Sequence, residues 1–198
     1  MIMSEINKVL IVSGGSEFGH SKGQLNDALC KKALKVLQEL GKECVFTNAS
    51  EPYDVKEEVL KFLWADAVIW QFPSWWMGEP WYVKKYVDLV FSAGGAQFLE
   101  SDGRHRRDPK HNYGTGGKLT SKYYLISTTW NAPLEAFTEK GEFFEEQGPD
   151  GVLLHFHKLN QFVGMKPLPS FICNDVMKDP HFEEYMQSWE EHLKKVFA

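Results

Sequence analysis

Hydrophobic and polar positions alternate in blocks along this chain. Residues 8–12, KVLIV, form a compact apolar run that stops at Ser13-Gly14-Gly15. From Gln24 to Leu40 the positions Leu25, Leu29, Ala33, Val36, Leu37 and Leu40 recur at helical spacing, and Gly41 is placed to end that helix. A short strand is expected around Glu43–Thr47, then a helix over Asp54–Trp64 with Val55, Val59, Phe62 and Leu63 on one side. AVIWQF at 67–72 predicts a third strand, and Pro80–Ser92 a helix with proline in its first turn. YYLIST at 123–128 predicts a fourth strand and Ser170–Asn174 a fifth. Phe182, Tyr185, Trp189, Leu193 and Val196 mark a terminal helix over 181–197.

Strands that read as unbroken apolar runs, separated by helices, predict a parallel sheet covered on both faces. Five strands in this alternation imply an α/β, flavodoxin-like order, 2-1-3-4-5, in one domain spanning 1–198. In that order strands 1 and 3 are neighbours at the switch point. The loops at their carboxyl ends, Ser13–Gly23 and Pro73–Gly78, then open onto one crevice.

The first loop, SGGSEFGHSKG, offers hydroxyls from Ser13, Ser16 and Ser21 and leads to the amino end of the helix at Gln24. Such an end favours a phosphate. The loop matches neither GxxxxGK[ST] nor GxGxxG, and an ordinary glycine-rich turn is the plainer alternative. The second loop places Ser74, Trp75, Trp76 and Met77 in a turn, where indoles are costly to expose. They suit a slot for a flat heteroaromatic ring, although aromatic-rich turns also serve as core. A third loop, Thr128-Thr129-Trp130-Asn131-Ala132-Pro133, reaches the same edge. Phosphate cradle and planar slot together point to a flavin more than to a nicotinamide alone.

Composition narrows the class. With 198 residues, 43% of them apolar and 25% charged, the chain fits one full core. A net charge of −5 and a pI near 5.8 argue against a nucleic-acid binder. No apolar run reaches the roughly 18–20 residues of a membrane span, and the leading run is too short and wrongly flanked for a secretion signal. Cys30, Cys44 and Cys173 show no CxxC spacing, so free thiols in the cytoplasm are expected. His155 and His157 alternate along a possible strand or loop, without a partner at metal-ligand spacing.

The segments HSKGQLNDAL (20–29), FLWADAVIWQFPSWWMGEPWYVKKYVD (62–88), STTWNAPLEAFTEKGEFF (127–144) and FHKLNQFVGMKPLPSF (156–171) closely resemble the flavodoxin-like quinone reductase family. The resemblance runs through nearly the whole chain. It implies a homodimer holding FAD, with FMN less favoured, that uses NADPH or NADH to reduce quinones. Two electrons would pass together, avoiding a semiquinone and so protecting against oxidative stress. Donor and acceptor would take turns over one flavin face. By matching motif, flavin contacts would come from Ser21, Lys22, Gly23, Gln24, Leu25, Asn26, Asp27 and Ala28, from Ser74, Trp75, Trp76 and Met77, and from Thr129, Trp130, Asn131 and Ala132. Tyr113, in YGTGG, would reach the neighbouring subunit's cofactor. The chain departs from the mammalian relatives in one respect: no matching Tyr-His pair follows its TTWNAP loop.

A long insertion loop is expected at about 93–118. It carries Arg104, Arg106, Arg107, Lys110 and Lys118 against Glu100, Asp102 and Asp108. As a dimer-crossing arm it would face the FAD diphosphate or the NADPH 2′-phosphate; otherwise it is a solvated loop. The competing function is a flavodoxin-type electron carrier serving protein partners. A serine hydrolase lacks its GxSxG elbow.

Overall fold

The structure is a computed structural model that describes residues 6–19 and 21–198. Residues 1–5, which precede the first apolar run, and His20 of the HSKG segment lie outside them. In chain order the elements are β1 (Lys8–Ser13), α1 (Gln24–Glu39), β2 (Glu43–Asn48), α2 (Val55–Trp64), β3 (Ala67–Pro73), α3 (Trp81–Phe98) and β4 (Tyr123–Thr129). Then come α4 (Glu135–Thr138), α5 (Gly148–Val152), α6 (Leu154–Phe162), β5 (Lys166–Pro167), β6 (Phe171–Cys173) and α7 (Phe182–Phe197).

The pairing runs β2-β1-β3-β4-β5, all parallel, as the alternation predicts. The strand expected at Ser170–Asn174 is β6, and a further two-residue strand, β5, precedes it. β5 pairs with the start of β4 at Tyr123 and Tyr124, and β6 pairs with its end at Ser127–Thr129. Strand β3 is buried along its whole length because helices cover both faces. Its pleat splits the side chains: Val68, Trp70 and Phe72 join the core beneath α2, α3 and α6. Ala67 and Ile69 join the core beneath α1 and α7. Buried indoles keep their N–H groups satisfied, Trp70 by Asn160 Oδ1 at 2.9 Å and Trp189 by the Leu29 carbonyl at 3.0 Å.

Two expectations are corrected. The insertion loop starts later than 93, because α3 continues to Phe98 through a kink where Gly95 takes φ 41° and ψ −124°. Gly94 and Gly95 do break the regular helix, but Phe98 is fully buried and draws one more turn onto the core. His155 and His157 lie on α6, not on a strand or loop. The first pairs with Glu79 and the second with Asp150.

Candidate active site

The carboxyl ends of β1, β3 and β4 stand side by side, and the crevice opens where the strand order reverses. Gly14 N–H donates to the Gln71 carbonyl, and Ser74 N–H to the Thr129 carbonyl, which ties the three loops together. A cleft of about 210 Å³ lies between them, lined by Ser21, Gly23, Leu25, Asn26, Pro73, Ser74, Trp75, Thr129, Asn131, Val176 and Met177.

Each wall has a local cause. Gly23 takes φ 70° at the amino end of α1, and a Cβ there would lie 3.0 Å from the Ser16 backbone, so only glycine suits the bend. No side chain among the described residues caps the helix, which leaves its first-turn N–H groups to meet an anion. Opposite, the Trp75 N–H donates to the Gly78 carbonyl at 2.8 Å and closes a turn in which Trp76 and Met77 have φ 48° and 74°. Two successive left-handed residues fit a type I′ turn, which normally takes Asn-Gly. The Trp75 ring stacks on Phe18 with centroids 4.3 Å apart and meets the edge of Tyr82, so its plane is fixed. Tyr82 in turn donates its hydroxyl to the Gly14 carbonyl at 2.7 Å. Burial pushes its phenol up to about 12, so it stays a donor at neutral pH.

A buried polar row runs beneath. Ser13, Gln71 and Ser127 align across β1, β3 and β4. Gln71 donates through Nε2 to Asn26 Oδ1 at 2.9 Å, and Asn26 donates through Nδ2 to Thr129 Oγ1 at 3.2 Å. Cys30 packs below, its thiol pushed up to about 12 by burial and therefore unreactive. Hydroxyls, amides and one fixed indole thus form the cleft, and none of its described lining residues is ionisable.

The sequence-predicted residues divide into groups. Ser21, Gly23, Leu25, Asn26, Ser74, Trp75, Thr129 and Asn131 meet in the cleft. Gln24, Asp27 and Ala28 face a shallower groove of about 640 Å³ that shares Leu25 with the cleft and adds Lys31 and Phe182. Lys22 is exposed beside it. Trp76 and Met77 stand at the rim, Trp76 being 93% exposed. The Trp130 ring belongs to the core: it is 3% exposed, donates to Thr128 Oγ1 at 2.9 Å and packs edge-on to Phe137 and Phe144. Ala132 also packs against that core. Tyr113 sits at the opposite edge of the sheet against Phe162.

Sequence reasoning missed the fourth wall. Val176 and Met177 reach the cleft because β6 lies beside β4, and its loop is held by Val176 N–H donating to the Trp130 carbonyl. The same switch-point rule, applied to the fifth strand's carboxyl end, would have found them. Gln71 was also missed, being a lone polar residue in an apolar run.

A flavin fits these residues on three observations. The Ser74 hydroxyl is buried in the cleft without a partner among the described residues. The helix amino end has no side-chain cap among the described residues, and the backbone at Gly23 leaves room only for hydrogen beside Ser16.

The profile of a family described as having a flavodoxin-like fold matches residues 7–193. The chain belongs to that family. It is 53% identical over 190 residues to an NADPH:quinone oxidoreductase of Haemophilus influenzae, MdaB, covering 96% of this chain and 99% of that one. An uncharacterised protein of Schizosaccharomyces pombe is 48% identical over 191 residues, covering 96% and 97%. Among solved structures, a putative quinone reductase from Klebsiella pneumoniae superposes with a TM-score of 0.76 over 98% of this chain and 86% of that one, at 22% identity. The resemblance read from the quoted segments is borne out, as is the strand order.

Proposed function

We propose that this chain is an FAD-dependent NAD(P)H:quinone oxidoreductase that alternates donor and acceptor in one site, acting as a cytoplasmic homodimer. The observation that carries this reading is the cleft itself: a fixed indole wall, an orphaned serine hydroxyl and an uncapped helix end, with no ionisable lining group among the described residues. The 53% identical relative named an NADPH:quinone oxidoreductase supports the substrates.

When bound, the flavin supplies the two-electron chemistry that side chains lack. The chain's own residues orient and stabilise. Trp75, pinned by Phe18 and Tyr82, offers a flat surface. Ser74, Thr129 and Asn131 offer polar groups inside the cleft. Preorganised donors of this kind favour whichever state carries more negative charge. FAD is preferred over FMN because the groove along Gln24–Lys31 continues from the cleft at Leu25 and gives a second half-nucleotide a place to lie.

Topology supports a dimer. Helix α3 begins beside the cleft and ends at the far edge of the sheet, where the arm carrying Tyr113 starts. Arg104 holds Asp102 and lies over the Tyr113 ring, so the arm is folded on itself. From that edge Tyr113, Arg106 and Arg107 serve a cleft only in another copy of the chain.

An electron carrier is disfavoured because such proteins concentrate acidic groups around the flavin, and this cleft has none among its described lining residues. The test is to weigh the cofactor released on denaturation and to mix the holoprotein anaerobically with NADPH, then with menadione. We expect FAD, rapid bleaching and rapid recovery. A protein that stays colourless when given FAD ends the proposal, and slow bleaching favours the carrier.

A further inference from the structure

We propose that Gln71 and Asn26 are positioning residues: a buried one-way hydrogen-bond chain, Gln71 to Asn26 to Thr129, aims the Thr129 hydroxyl proton into the cleft as a donor to the bound cofactor. This rests on the flavin reading above.

The direction follows from how the two amides are oriented. An amide N–H only donates, so the Gln71 Nε2 contact at 2.9 Å uses Asn26 Oδ1 and leaves only Asn26 Nδ2 for Thr129. That N–H occupies a lone pair of Thr129 Oγ1, and the hydroxyl proton must point elsewhere. It has no acceptor among the described residues, and Thr129 lines the cleft. Burial makes the arrangement rigid: Gln71 is 1% exposed, and Asn26 and Thr129 are each 4% exposed. At the far end, Gln71 Oε1 and the hydroxyl of Ser127, its register partner on β4, are both buried without partners among the described residues. Leaving polar atoms unsatisfied in a core is costly. Two of them at the root of a chain that ends in the cleft mark a place where amide orientation takes precedence over packing.

A hydroxyl held as donor binds reduced flavin better than oxidised flavin, because the reduced form carries more negative charge at its polar edge. The chain would therefore raise the reduction potential of a bound flavin, which favours its acceptance of hydride. Asn26→Asp reverses the last link, since a carboxylate only accepts and Thr129 must turn its proton inward.

The experiment measures the two-electron midpoint potential of the reconstituted flavoprotein and its affinity for oxidised flavin. We expect N26D to weaken reduced relative to oxidised flavin about tenfold, a fall of about 30 mV for a two-electron couple. T129V should lower the potential similarly. The double variant should fall no further than T129V alone, because both changes remove one donor. If the N26D shift persists in full on the T129V background, it is plain charge repulsion and the chain is refuted. An unmoved potential refutes it equally. Should N26D fail to fold, Q71E makes the same test: its carboxylate turns the Asn26 amide around and presents Oδ1 to Thr129. A wild-type protein that takes up no flavin sinks the proposed function and this inference together. Normal uptake with additive shifts sinks this inference alone.

Discussion

Strands β3 and β4 lie side by side, and each ends in an aromatic-rich turn, yet the two turns differ in almost every physical respect. After β3, Trp76 is 93% exposed and the backbone is left-handed at Trp76 and Met77. After β4, Trp130 is 3% exposed, its N–H is satisfied by Thr128, and Phe137 and Phe144 close around it. Where an indole finds partners for both its N–H and its faces, it is core. Where exposure and an uncommon backbone conformation coincide, local stability has been given up at a site of function.

The largest expected effect tests this directly. Trp130→Ala should cost about 3–5 kcal/mol, the usual range for emptying a large aromatic site. Trp76→Ala should change stability by less than about 0.5 kcal/mol, as exposed positions do. Its effect should appear instead in kcat/KM for NADPH or quinone. Urea unfolding of both variants beside steady-state kinetics decides the matter, and equal destabilisation would erase the distinction between the turns.

Both turns look alike in the amino-acid string, and that marks where sequence reading stops. FPSWWMG and TTWNAP each put indole beside small polar residues, so both read as site. What separates them is a contact to a remote segment: Phe137 and Phe144 fold back over Trp130 from residues without clear periodicity. By contrast β1, β3, α1 and α7 were legible, because uniform burial or a single buried stripe imposes its own period on the residues. Helix α6 was not. LHFHKLNQF does carry Phe156 and Asn160 one turn apart, but a buried polar residue at the core position broke the apolar pattern. Asn160 is there to receive the Trp70 N–H, a partner 90 residues away.

A smaller effect sharpens the same contrast from the backbone side. Met77 holds φ 74°, a conformation that costs a non-glycine residue about 1 kcal/mol or more. Met77→Gly should therefore stabilise the fold by up to about 1 kcal/mol while loosening the rim. We expect a raised melting temperature together with a higher KM. Stabilisation without any kinetic change would mean that the turn's conformation serves nothing at the cleft.

The smallest effect comes from α6, which pairs one histidine with the residue after the β3 turn and another with a carboxylate of α5. His155 pairs with Glu79, the residue after the β3 turn, at 2.7 Å. His157 lies between Tyr124, near the start of β4, and Asp150 of α5. The Tyr124 hydroxyl, its pKa pushed up to about 12 by burial, lies 2.9 Å from His157 Nδ1, and the ring's Nε2–H donates to the Asp150 carboxylate at 3.2 Å. That hydrogen bond, working against partial burial, holds the Asp150 carboxyl below its ordinary 3.8. A depressed folded pKa contributes stability above the unfolded value and loses it as pH falls through the folded one. Asp150 is two-thirds exposed at its side chain, so the contribution is below about 1 kcal/mol. Wild type should exceed Asp150→Asn by a constant margin at neutral pH, and the two stability curves should converge below about pH 4. Curves that stay parallel into acid would show that the hydrogen bond from His157 does not hold the Asp150 carboxyl down, and that unlike the packing around Trp130 it contributes nothing to stability.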